Sequence, residues 1–181
     1  MIDLQRYLLF RENIATLKNL SKDDHDKQNI EYMTESSIEA VDFDIVKRKY
    51  VNALQLSEEV AKSNDALLKM KNDFIFIEFK NGKVNPGEIK QKITDSLLIL
   101  CDITGITIKE TREELDFMLV INEKKNIGRI EAAKRKIGNH YLSKARKTLI
   151  LFGLEKYETL YFKSVYTCTE VEFDRFLANR L

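Results

Sequence analysis

The sequence predicts a single α/β domain. Three observations lead there: two strand-like runs separated by a three-residue turn, a proline-started helix close behind them, and an almost wholly apolar run that returns from that helix. A hairpin, a helix and a strand buried on both faces imply a mixed β-sheet flanked by helices.

The elements read in order as follows. Residues 3–20 are expected to be helical, with Leu4, Leu8, Ile14, Leu17 and Leu20 loosely on one side. Ser21 to Lys27 is polar and reads as a loop, and residues 28–40 as a further helix. Val46, Tyr50, Val51 and Leu54 recur at helical spacing from Phe43 onward, and Ser57 is placed to cap a short turn. Residues 66–70 and 74–80 are the two strands of a β-hairpin, and Lys71-Asn72-Asp73 is its turn. Asn85, Pro86 and Glu88 suit the N-cap, first and third positions of a helix running to about Cys101. Residues 115–121 form the buried strand, reached by a crossover long enough to be right-handed. A basic helix follows, with Ile130, Ala133, Ile137 and Tyr141 on one side. Residues 148–152 and 159–167 are expected to be strands. Thr169 and Glu172 form a capping box for a terminal helix carrying Phe173, Phe176 and Leu177.

The chain has 181 residues, enough for one core and few for two, so residues 1–181 are expected to be one domain. Its motif-bearing core spans about 40–122, with the basic helix, later strands and terminal helix in 123–181. The N-terminus lacks the pattern of a signal peptide, and no apolar run is long enough to cross a bilayer. Cys101 and Cys168 are far apart, and His25 and His140 have no partner at metal-ligand spacing. A cytoplasmic protein without a membrane partner is the expectation. No glycine-rich phosphate loop or serine-hydrolase elbow is present, so nucleotide-cofactor and serine-hydrolase readings lack support.

Net charge is +1, but its distribution is uneven. Residues 124–147 hold nine basic side chains against Glu131 alone, so this segment carries +8 and the remainder −7. Lys124, Lys125, Arg129, Lys134, Arg135 and Lys136 are therefore candidates for a phosphate-binding face, against the plainer alternative of a solvated basic helix.

The chemistry concentrates on the hairpin. Alternation places Phe74, Phe76, Glu78 and Lys80 on one face of the second strand and Ile75, Ile77 and Phe79 on the other. A carboxylate and an ammonium on a buried strand are costly unless paired or used. Facing residues in a hairpin share a constant sum of residue numbers. A sum of 143 sets Asp65 opposite Glu78, and a sum of 145 sets it opposite Lys80. Both registers bring the three side chains to one face, whereas a sum of 144 turns Asp65 away. Two close carboxylates attract a hard divalent cation such as Mg²⁺ or Mn²⁺, and an adjacent lysine can stabilise developing negative charge. Asp42 and Asp44 precede a helix and read as capping residues.

Asp65, a gap of twelve residues, and then Glu78-Phe79-Lys80 resembles the PD-(D/E)xK motif of the restriction-endonuclease-like nucleases. Asn64 stands where that motif has proline. The resemblance implies an αβββαβ core in which Asp65 and Glu78 bind the metal, the Phe79 carbonyl adds a ligand and Lys80 is catalytic. It also implies a Gln or Lys from the following helix, for which Gln91 and Lys92 are the candidates, and an upstream glutamate, for which Glu35, Glu39 and Glu59 are open. The function implied is metal-dependent hydrolysis of nucleic acid, DNA ahead of RNA, by a protein that can act as a homodimer or with a protein partner. Two other expectations stand beside it. One is a non-catalytic binding module on the same fold, a regulator or inhibitor. The other is a bare surface ion pair between Glu78 and Lys80 on an edge strand, which predicts an exposed face and no cleft.

Overall fold

The computed structural model describes residues 3–71, 73–138 and 150–180, with the side chains of 132–138 and 180 outside that description. It is an α/β fold around a mixed six-stranded sheet. The strands in chain order are β1 (Ile14–Thr16), β2 (Lys22–Asp23), β3 (Glu31–Tyr32), β4 (Glu39–Asp42), β5 (Ala66–Lys69), β6 (Phe74–Lys80), β7 (Leu115–Ile121) and β8 (Ser164–Thr169). The helices are α1 (Leu8–Arg11), α2 (Leu17–Leu20), α3 (Phe43–Ala53), α4 (Pro86–Thr104), α5 (Ile108–Glu114), α6 (Glu123–Gly138), α7 (Tyr157–Leu160) and α8 (Glu170–Arg180). The main sheet runs β1-β4-β5-β6-β7-β8, antiparallel from β1 to β6 and parallel from β6 to β8. β2 and β3 form a separate two-stranded sheet.

The alternation expected of β6 is what separates the two halves of the core. Phe74 and Phe76 pack with Phe43, Ile89, Ile93 and Leu97 under α3 and α4. Ile75, Ile77 and Phe79 pack with Leu17, Phe173 and Leu177 under α2 and α8. Phe76 meets Phe43 edge to face at a centroid distance of 4.8 Å. β6 is central, and every residue of the adjoining β7 is buried, as its apolar run requires.

Local signals place α4. The Asn85 side chain accepts from the Gly87 amide, Pro86 opens the helix, and Gly105 ends it in the left-handed region at φ 73°. Glu88, at the third position, does not complete a capping box with Asn85, because its carboxylate turns instead to Lys80 Nζ, 3.2 Å away. The box at Thr169 does close, with Glu172 and Thr169 bonding each other's amide through their side chains.

Four expectations are corrected. Residues 3–20 are not one helix: Asn13 donates to the Leu9 carbonyl at the end of α1, and Ile14–Thr16 pair with Glu39–Val41 as strands. Residues 28–40 are not helical, since β3 lies within them and β4 begins at Glu39, where long-range pairing outweighs helix propensity. Residues 150–152 are irregular rather than a strand, with 148 and 149 outside the described residues. The strand expected at 159–167 is displaced to Ser164–Thr169, after the helical turn α7. Among the described residues, no helix is long and apolar enough to cross a membrane.

Candidate active site

The hairpin takes the register with sum 143: Ala66 faces Ile77 and Lys69 faces Phe74. The regular ladder ends there: one step further along, the Asp65 amide donates to the Ile77 carbonyl at 3.1 Å rather than to Glu78, which leaves Asp65 beside Glu78 at the end of the hairpin. The entry to β5 is fixed from α4, where Ser96 Oγ accepts from the Asn64 amide and Asp95 accepts from the Lys62 amide, each at 2.8 Å. Asp65 Oδ2 then accepts from the Phe79 amide at 2.6 Å, which pins its carboxylate against the strand carrying Glu78.

Two lysines converge on this pair. Lys92 Nζ lies 2.7 Å from Glu78 Oε1 and 3.1 Å from Asp65 Oδ1. Lys80 Nζ lies 3.4 Å from the same Glu78 oxygen and is drawn outward by Glu88. Glu78 has no exposed surface, and neither of its oxygens accepts a hydrogen bond of regular geometry among the described residues. Burial, then repulsion from Asp65, pushes the Glu78 carboxyl up to about 8. Burial likewise raises Asp65. Burial opposes the charge on Lys92, but Asp65 and Glu78 together hold its ammonium well above the ordinary lysine range. The cluster is thus one fully buried carboxylate and one largely covered carboxylate bridged by a largely covered ammonium, with a second ammonium at the rim. A surface ion pair on an edge strand does not fit this burial or the central place of β6.

The cleft beside Asp65 is about 350 Å³ and is lined by Asp65, Lys80, Lys92, Asp44, Asp23 and His25, with Glu78 buried behind them. Asp44 is the acid that the sequence did not assign. Asp42 caps α3 through Ile45, as expected, but Asp44 turns to Ser63 Oγ at 2.5 Å, and its charge adds to the shifts of Asp65 and Lys92. The signal lay in the strand before α3: Asp42 pairs with Ala66, which carries Asp44 toward Asp65.

The upstream glutamates lie elsewhere. Glu35 pairs with Lys18, Glu39 is exposed on β4, and Glu59 is exposed in a short turn. Gln91 is also exposed, while its neighbour Lys92 turns inward. The reason is helical phase: Glu88, Lys92 and Ser96 recur every fourth residue on the flank of α4 facing the hairpin.

The basic segment is partly engaged within the protein. Lys125 pairs with Glu31 at 2.9 Å. Arg129 donates to the Val84 carbonyl at 3.2 Å and lies over the Phe152 ring. Lys124 is exposed. The side chains of Lys134, Arg135 and Lys136, and His140 altogether, fall outside the described residues. Among the described residues, no group of three or more His, Cys, Asp or Glu side chains is arranged to hold a metal ion.

Comparison of the chain with protein-family models, curated proteins and solved structures found no match.

Proposed function

We propose that this protein is a metal-dependent nuclease of the PD-(D/E)xK type, hydrolysing phosphodiesters in nucleic acid, DNA ahead of RNA. The observation that carries the proposal is the meeting of Asp65 and Glu78 at Lys92 at the end of the hairpin, with Lys80 beside Glu78 and with Asp65, Lys80 and Lys92 lining a cleft. The order β5, β6, α4, β7 supports a restriction-endonuclease-like core. The strand beside β5 differs from that pattern, because β4 precedes α3 rather than following it.

The donor set suits a hard divalent cation. Asp65 and Glu78 supply neighbouring carboxylates, and Glu78 Oε2, buried and without a hydrogen bond among the described residues, has unused acceptor capacity. Mg²⁺ or Mn²⁺ would be held by Asp65 and Glu78, with the Phe79 carbonyl as a further candidate ligand, and would supply Lewis acidity to the phosphodiester. The protein's own groups do the rest. Lys80, held between Glu78 and Glu88, offers its ammonium to the negative charge that develops at phosphorus. Asp44 adds negative charge at the same end of the cleft. Lys92 neutralises the acidic pair and keeps the carboxylates together.

That last contact also favours a second reading. An ammonium already sits between the carboxylates, and such a cluster can serve a non-catalytic binding module as a structural ion network. Incubation of plasmid and single-stranded DNA with Mg²⁺, Mn²⁺ or EDTA separates the two. The nuclease reading expects metal-dependent cutting that is lost in Lys80→Ala and Asp65→Asn. A folded protein that leaves both substrates intact with either metal supports the binding module.

A further inference from the structure

The cleft has a wall that the proposed hydrolysis does not require. Residues 21–33 form a short arm, β2 paired with β3 across the loop 24–30, and Asp23, Asp24 and His25 face the same space as Asp65, Lys80 and Lys92. One buried amide fastens the arm. Asn81, the residue after Lys80, donates to Asp23 Oδ2 at 2.8 Å and to Glu31 Oε2 at 2.5 Å. It accepts from Asn122 Nδ2 at 2.8 Å, which ties it to the end of β7. Lys125 adds its ammonium to Glu31 from α6.

With the arm fastened, the reacting groups are recessed. Glu78 is covered, and the side chains of Lys92, Asp65 and Lys80 keep 13%, 15% and 20% of their exposure. A space of about 350 Å³ is the size of a small-ligand pocket. A duplex is a stiff rod, and its backbone reaches groups covered to this degree poorly. A single strand can turn one phosphate and its nucleotide inward.

We infer that the arm makes this site selective for single-stranded or frayed nucleic acid, and that Asn81 is the residue that positions it. The inference rests on the nuclease reading of the same site.

The test compares one labelled DNA oligonucleotide as a single strand and as a blunt duplex, using the full chain with Mn²⁺. The single strand is expected to be cut at least about tenfold faster. The double variant Asp23→Ala with Glu31→Ala unfastens the arm while leaving Asn81 and β6 intact, and should bring the ratio to within about threefold. Losing two acids strengthens binding to either form, so the ratio is the readout and not the rate. Duplex cut as fast as single strand by the wild type, or an unchanged ratio in the double variant, overturns the inference. The same preference with single-stranded over duplex RNA supports it with RNA as substrate. If neither DNA nor RNA is cut, the nuclease reading fails separately, and fluorescence anisotropy still tests the arm. Tighter binding of single strand, relaxed in the double variant, supports selection by the arm, and equal binding or none overturns it.

Discussion

Replacing Lys92 with methionine tests the electrostatic core of the site. The substitution keeps much of the side chain's length and apolar stem and removes the ammonium that lies 2.7 Å from Glu78 and 3.1 Å from Asp65. Glu78 is fully covered and has no regular hydrogen bond to fall back on. Breaking a buried ion pair from one side costs about 3–5 kcal/mol where the remaining charge is uncompensated, and Lys80, 3.4 Å from Glu78, makes that range an upper bound here. For a chain of this length that is a fall in Tm of roughly 6–20 °C. The loss should depend on pH. Near pH 5 Glu78 is already protonated in the folded wild type, so mainly the contact with Asp65 is lost, at about 1–3 kcal/mol. Above pH 8 Glu78 is ionised in the wild type, and the full loss applies. Urea unfolding of both proteins at pH 5 and pH 8.5 measures the difference. A loss that is equal at the two pH values, or below about 1 kcal/mol at both, refutes the view that Lys92 neutralises a buried acidic pair.

Further predictions concern neighbouring groups. Glu78 has its carboxyl raised from an ordinary value of 4.5 to about 8, so the folded state binds this proton more tightly than the unfolded state, and Glu78's contribution to stability falls as pH rises through that window; Glu78→Gln should flatten that part of the stability–pH curve in urea titrations. Asp42→Ala removes the cap that Ile45 uses and should cost about 1 kcal/mol in chemical unfolding. Asp44→Asn keeps the partnership with Ser63 while removing a negative charge from the cleft, so it should weaken Mn²⁺ binding in calorimetry while changing stability by less than about 1 kcal/mol. Phe76→Ala empties the space beneath Phe43 in the middle of the sheet and should cost about 3–5 kcal/mol by the same unfolding assay.

What the sequence made legible was local. The alternation in Phe74–Lys80, the turn that follows Lys69 and the Asn85-Pro86 start are set by neighbours in the chain, and they place the hairpin and α4; the ladder ends one step before the expected pair of Asp65 with Glu78, whose side chains meet at Lys92 instead. The N-terminal third was misread because long-range partners shape it. Ile14–Thr16 and Glu39–Asp42 have no strong strand signal of their own and become strands by pairing with each other and with β5. Missing β4 hid Asp44, because only that pairing shows where the first turn of α3 lands. The choice between Gln91 and Lys92 turned on which flank of α4 faces the hairpin. Periodicity identifies the buried face through Ile89, Ile93 and Leu97 but does not say which flank meets the acids. The arm was equally invisible: Lys22 to Lys27 reads as a polar loop, and its fastening depends on Asn81 and Lys125, far along the chain.

Mn²⁺ titration followed by electron paramagnetic resonance tests most directly whether Asp65 and Glu78 form a divalent-metal site. The wild-type protein should bind Mn²⁺ at a single site that is lost in Asp65→Asn and in Glu78→Gln. Lys92→Met, freed of its competing ammonium, should bind the ion more tightly than the wild type. A wild-type protein that binds no Mn²⁺, or binding that survives unchanged in both carboxylate variants, contradicts the assignment.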